Sequence, residues 1–87
     1  MTELLALREQ LDAIDAQLGA LLARRFAVTD RIGVLKRETN APVRDEAREQ
    51  AVLARAAQAA GADYAREVRA LYERLLELSR ARQEAMK

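Results

Sequence analysis

The stretch LLALREQLDAIDAQLGALLARRFAVTDRIGVLK, residues 4–36, decides the fold of this 87-residue chain. When heptads are counted from Leu4, nine of its ten a and d positions are aliphatic. These nine are Leu4, Leu7, Leu11, Ile14, Leu18, Leu21, Val28, Ile32 and Leu35; we call them the seam. The tenth position is Arg25. This period predicts one unbroken α-helix over about residues 3–37, ending at the helix-breaking stretch 39–42.

Two shorter helices are expected after that stretch. Asp45 is a good N-cap for the second, with Glu46 and Glu49 near its positive end, and Gly61 is the expected C-cap. The third is expected from about Asp63. Its predicted apolar stripe is Val68, Leu71, Leu75 and Leu78, with Tyr72 and Leu76 beside it. With only 3% aromatic residues, the composition favours a single all-α domain over residues 1–87, without strands.

Composition also excludes several kinds of function. Fifteen Lys and Arg stand against 14 Asp and Glu, interleaved along the chain, which disfavours a nucleic-acid partner. The sequence has no apolar run near the roughly 20 residues of a membrane span and no signal peptide, so we expect a cytoplasmic protein. Without Cys or His, any reaction is expected to need neither a nucleophile nor a metal, and no cofactor.

The length of the first helix predicts a dimer. About 35 residues of helix would measure roughly 52 Å, whereas a compact chain of this size has a diameter of only about 30 Å. The chain cannot bury the seam by itself. We therefore expect an intertwined helical homodimer, in which the two shorter helices of each chain cover the protruding half of the partner's long helix.

Three cations of the long helix are candidates for binding an anion. Arg25 interrupts the seam; a solvated, snorkelling arginine is the plain alternative to a buried cation that needs an anionic partner. Lys36 is eleven residues further on, roughly 16 Å along the same face. Arg8 is roughly 25 Å before Arg25 and would reach the same ligand only from an antiparallel partner. Taken singly, Lys36 and Arg8 also fit a solvated flank.

The shorter helices add five polar candidates. Asp45, Arg48 and Glu49 share one inward face, although an N-cap with a solvated ion pair has the same spacing. Ser79 and Gln83 continue the stripe of the third helix, although a frayed helix end would explain them too. Together with the three cations they describe a polar pocket. Its surplus of positive charge suits a small dianionic substrate.

These eight residues and the segments around them resemble those of a known enzyme family. The chain resembles the all-α class of chorismate mutases from end to end, in the segments LLALREQLDAIDAQLGALLARR, IGVLK, PVRDEARE and SRARQ. The resemblance implies a monofunctional enzyme of aromatic amino-acid biosynthesis that rearranges chorismate to prephenate. No fused dehydratase, dehydrogenase or synthase domain is expected.

The resemblance also assigns roles to the eight positions. Arg25 and Lys36 would hold substrate carboxylates, with Arg8 reaching in from the other protomer. Lys36 and Gln83 would donate to the ether oxygen of the bond that breaks.

At the other end of the substrate, Ser79 would assist at the ring carboxylate. Asp45, Arg48 and Glu49 would line the end where the ring hydroxyl binds, with Glu49 accepting from that hydroxyl and Arg48 bracing the carboxylates. The candidate catalytic residues are therefore Arg25, Lys36, Glu49 and Gln83.

Three other functions stay open at this point. Isochorismate pyruvate lyase and a mutase for 4-amino-4-deoxychorismate would use the same scaffold. A non-catalytic helical dimerisation module is the alternative from a different class of protein.

Overall fold

The chain folds into three α-helices. The computed structural model describes residues 2–86, with α1 at Thr2–Glu38, α2 at Glu46–Ala60 and α3 at Ala65–Ala85, and no strand among these residues. The prediction of an all-α fold with one long and two shorter helices is confirmed. Within residues 2–86 no helix combines the length and the apolar character that crossing a membrane requires.

α1 protrudes far beyond the other two helices. The described residues extend 56 × 24 × 15 Å, and their radius of gyration of 16.2 Å exceeds the roughly 12 Å of a compact chain of this length. Each of the nine aliphatic seam residues keeps between 41% and 60% of its surface exposed. The prediction that the chain cannot bury its own seam is therefore confirmed.

α3 packs on the C-terminal half of α1 through a different face from the seam. That face carries Leu22, Phe26, Thr29 and Gly33, which are partly or fully buried. Gly33 lets α3 come close, because a β-carbon there would lie 2.8 Å from Gln83 Cγ.

α3 lies between the other two helices, packing against both α1 and α2. Its buried residues are Leu75, Leu76, Ser79 and Gln83. The predicted stripe is wrong at two positions, because Leu71 is 71% exposed and Leu78 is 39% exposed. Because α1 and α2 both pack on α3, its buried face turns toward Leu76, Ser79 and Gln83 and away from Leu71 and Leu78.

The ends of α2 follow the sequence signals. Asp45 is the N-cap, and its side chain accepts a hydrogen bond from Arg48 N. Gly61 is the C-cap with φ of 85°, a left-handed conformation that favours glycine. α3 begins at Ala65, two residues later than the expected Asp63, after a hydrogen-bonded turn from Gly61 to Tyr64.

Candidate active site

A polar cavity of about 140 Å³ opens between α1 and α2, with α3 as its floor. α1 and α2 make no close backbone contact within the described residues, so the space above α3 stays open. Thirteen residues line this cavity: Arg25, Thr29, Ile32, Lys36, Val43, Asp45, Arg48, Glu49, Val52, Leu76, Ser79, Arg80 and Gln83.

α1 contributes two cations to the cavity. The guanidinium of Arg25 lies over the ring of Tyr72, with Cζ 5.4 Å from the ring centroid. Its Nη1 is buried and has no hydrogen-bond partner among residues 2–86. A buried donor of a charged group without a partner is costly. Arg25 is therefore half-buried with one unsatisfied donor, which does not fit a fully solvated, snorkelling guanidinium.

Lys36 lies near the end of α1, and a backbone carbonyl oxygen holds its ammonium group in place. Its Nζ donates to the carbonyl oxygen of Val43 over 2.6 Å, which ties the loop between α1 and α2 to the cavity wall. An ammonium has three N–H donors, so this bond leaves donors available for a ligand.

α3 contributes the neutral polar groups. Ser79 and Gln83 are only 6% and 7% exposed, which excludes a frayed helix end as their explanation. Ser79 Oγ donates to the carbonyl oxygen of Leu75, one turn earlier. Gln83 Nε2 donates to the carbonyl oxygen of Thr29 on α1 over 2.6 Å, so one of its two amide hydrogens is used and the other is not.

α2 contributes its first turn. Asp45 Oδ1 accepts from Arg48 N at 3.1 Å, so Asp45 performs the capping role that its position predicted and also lines the cavity. Arg48 is exposed at the mouth. Glu49 is more enclosed and pairs with Arg80 of α3, with 2.5 Å between Oε1 and Nη1. That ion pair joins α2 to α3 beside the cavity.

Positive charge exceeds negative charge around the cavity. The cations Arg25, Lys36, Arg48 and Arg80 stand against the carboxylates Asp45 and Glu49. A small dianion would balance this excess. Within residues 2–86 no group of three or more carboxylates lies close enough to hold a metal ion.

Seven of the eight predicted site residues line this one cavity. The exception is Arg8, which lies on the exposed N-terminal half of α1, seventeen residues before Arg25 and roughly 25 Å away along the helix. Arg80, which also lines the cavity, was not among the residues predicted from the sequence. Arg80 lies four residues after Leu76 and three before Gln83, on the same face of α3, but this spacing alone does not set it apart from the other arginines of that helix.

By fold and site, the chain is an all-α protein with an open cavity in which cations outnumber carboxylates. The family model described as chorismate mutase type II matches residues 7–84, and the chain belongs to this family. Its members are intramolecular isomerases of chorismate, as the sequence resemblance predicted. Comparisons with curated proteins and with solved structures gave no match.

Proposed function

We propose that the chain rearranges chorismate to prephenate in the cavity between α1 and α2. The supporting observation is Arg25, a half-buried cation whose buried Nη1 has no hydrogen-bond partner among residues 2–86, with Lys36 and Gln83 lining the same cavity. The rearrangement breaks one C–O bond and forms one C–C bond within one molecule. It needs no nucleophile and no added group, which suits the side chains around this cavity.

Holding the reactive conformer is the first part of the proposed mechanism. Chorismate must fold so that its enolpyruvyl arm lies over the ring before the bonds can exchange. Arg25 and Arg48, on opposite walls of the cavity, would fix the two carboxylates and so select that conformer. Positioning of this kind can lower a barrier by several kcal/mol, up to about 7–11 kcal/mol in the best oriented cases.

Stabilising charge on the ether oxygen is the second part. Negative charge grows on that oxygen as the C–O bond lengthens, so donors aimed at it bind the transition state more tightly than the substrate. Lys36 and Gln83 would be these donors. Each gives one hydrogen to a backbone carbonyl, of Val43 and of Thr29, and keeps another for the substrate. The carbonyls would thus fix both donors before the substrate arrives.

A homodimer completes the proposed site. The exposed seam is the surface that a second α1 would cover in an antiparallel arrangement. For Arg8 of one chain to lie opposite Arg25 of the other, the twofold axis must pass near residues 16–17, midway between them. This axis lies within the seam. The same dimer would therefore bury the apolar seam and bring Arg8 of the second chain to the cavity.

Two related activities remain candidates on this scaffold, the isochorismate lyase and the mutase of 4-amino-4-deoxychorismate. The proposal ranks them below chorismate rearrangement because Glu49 is already paired with a cation, which suits a neutral ring hydroxyl. A non-catalytic dimerisation module is disfavoured by Arg25, because a purely structural seam has no need of a cation whose buried Nη1 finds no hydrogen-bond partner among residues 2–86. A role in the shikimate pathway and a cytoplasmic location stay predictions from the sequence.

The test is loss of chorismate absorbance on adding the purified protein, with prephenate identified as the product. Lys36→Ala should lower kcat on the order of 10²- to 10³-fold, as loss of a transition-state donor does. Arg66→Ala is the matched control, because this cation of α3 has a side chain 95% exposed; its rate should equal that of the wild type. Turnover of isochorismate or of the amino substrate, but not of chorismate, would contradict the proposal.

A further inference from the structure

The ion pair between Arg80 and Glu49 has no assigned role in the reaction. Its side chains are only 26% and 15% exposed, and it bridges α3 and α2 at the wall of the cavity. On the other side of this wall, a surface crevice between α2 and α3 is lined by the same two residues and by Leu76. The pair therefore separates the cavity from the crevice, and solvent screens it less than an exposed ion pair.

The pair fixes what Glu49 can offer to a ligand. Oε1 accepts from the Arg80 guanidinium, while Oε2 receives no hydrogen bond from any of residues 2–86. Arg80 also cancels the charge of Glu49. A neutral hydroxyl needs only a lone pair, which Oε2 supplies. An ammonium would gain little attraction from a carboxylate whose charge the Arg80 guanidinium already balances.

We propose that Arg80 is a positioning residue that makes the site prefer a hydroxyl over an ammonium group on the substrate ring. The inference rests on the proposed function, in which Glu49 accepts from the ring hydroxyl. Arg80 acts through Glu49, by holding Oε1 and by neutralising its charge. It thereby decides between chorismate and the amino analogue, which differ at the ring atom that Glu49 would contact.

The experiment compares kcat/KM for chorismate and for 4-amino-4-deoxychorismate in the full-length protein. Arg80→Gln should shift the ratio toward the amino substrate by on the order of tenfold, the size expected when one specificity contact changes. Its kcat for chorismate should stay within a few-fold of the wild type, because Arg80 is not a donor to the ether oxygen. Arg80→Lys, which keeps the charge, should restore most of the hydroxyl preference.

Two further variants separate this role from a purely structural one. Arg82→Gln is the matched control: Arg82 joins α3 to Asp30 of α1 and does not line the cavity, so its loss should leave the substrate ratio unchanged. In a Glu49→Gln background, adding Arg80→Gln should no longer move the ratio.

An unchanged ratio in folded Arg80→Gln, or an equal loss on both substrates, would overturn the inference while leaving the proposed function intact. A moved ratio that persists without Glu49 would overturn it too, because Arg80 would then act by another route. Wild-type protein that turns over neither substrate would refute the proposed function, and the inference with it.

Discussion

Gly33 lies directly beneath Gln83 where α1 meets α3. A β-carbon at position 33 would lie 2.8 Å from Gln83 Cγ and 2.9 Å from Met86 Sδ, closer than such atoms can approach. One turn earlier on α1, the carbonyl oxygen of Thr29 accepts from Gln83 Nε2. The absence of a side chain at position 33 thus allows Gln83 its place in the cavity.

Gly33→Ala should therefore reduce activity more than stability. Alanine gains about 1 kcal/mol of helix propensity, which offsets part of an overpacking cost of about 1–3 kcal/mol. Displacing Gln83 by even 1 Å can cost on the order of 100-fold in rate. We expect kcat to fall at least about tenfold, with a change in Tm of only a few degrees. Steady-state kinetics and thermal unfolding measure the two effects.

Gly19→Ala is the matched control for this prediction. A β-carbon at position 19 would meet no atom of the chain within 4 Å. This substitution should raise stability by about 0.5–1 kcal/mol and leave kcat unchanged. Full activity in Gly33→Ala would contradict the positioning role of Gly33.

Local signals predicted the helices well, because they act over a few residues. The heptad period of the seam predicted α1. Asp45 caps the start of α2 with its side chain, and Gly61 caps its end with its backbone. The packing face of α3 was not predictable in the same way. Whether Leu71 or Leu76 points inward depends on where α1 and α2 lie, and the apolar pattern of α3 alone allows both.

The cavity was largely predictable because a charged or polar residue on an inward helical face is unusual. Ser79 and Gln83 stood out against an apolar stripe in this way. Arg80 did not stand out in the sequence, because α3 carries many arginines and most of them are exposed. Only the packing of α2 against α3 distinguishes Arg80, by bringing Glu49 to it.

Arg25→Leu should abolish activity without destabilising the protein. The substitution removes a half-buried cation whose Nη1 has no hydrogen-bond partner among residues 2–86, and replacing a buried charged group by a well-packed apolar side chain is often neutral or stabilising by about 1–4 kcal/mol. The lost contact with the Tyr72 ring offsets about 0.5–2 kcal/mol of this gain. Chemical denaturation and a turnover assay test both parts. A variant that is less stable and fully active would show that Arg25 is a structural residue.

Mixing two inactive variants should restore activity if Arg8 crosses the interface. When Arg8→Ala and Lys36→Ala chains are unfolded and refolded together, half of the dimers contain one chain of each kind. Each mixed dimer has one site with both cations intact. The mixture should reach roughly one quarter of wild-type activity, whereas each variant alone stays inactive. Absence of recovery, with mixed dimers verified by mass spectrometry, would mean that Arg8 does not serve the partner's site.

Gln83→Glu should make the reaction depend on pH in a way that the wild type does not. A carboxylate at position 83 would repel the negative charge growing on the ether oxygen, whereas a protonated carboxyl could donate to it. An ordinary glutamate has a pKa of about 4.3. The kcat of the variant should therefore be low at neutral pH and rise as the solution is acidified toward that value. A profile parallel to that of the wild type would contradict the role of Gln83 as a donor.

Asp30 and Arg82 link α1 to α3 through two hydrogen bonds, of 2.8 and 2.6 Å. The hydrogen bonds and the charge of the guanidinium lower the pKa of Asp30, so folding favours the ionised carboxylate. The Asp30–Arg82 pair therefore stabilises the fold fully above about pH 3.9, the pKa of Asp30 in the unfolded chain. This stabilisation is lost as the pH falls through the lower pKa that Asp30 has in the folded protein. Asp30→Asn should have a lower Tm than the wild type at pH 7, and the gap should close as the pH falls below about 4 or as salt is added. Asp63→Asn, in the turn before α3, serves as the control and should show no such gap. A gap that persists unchanged at low pH would mean that Asp30 stabilises the packing of α1 on α3 by shape rather than by charge.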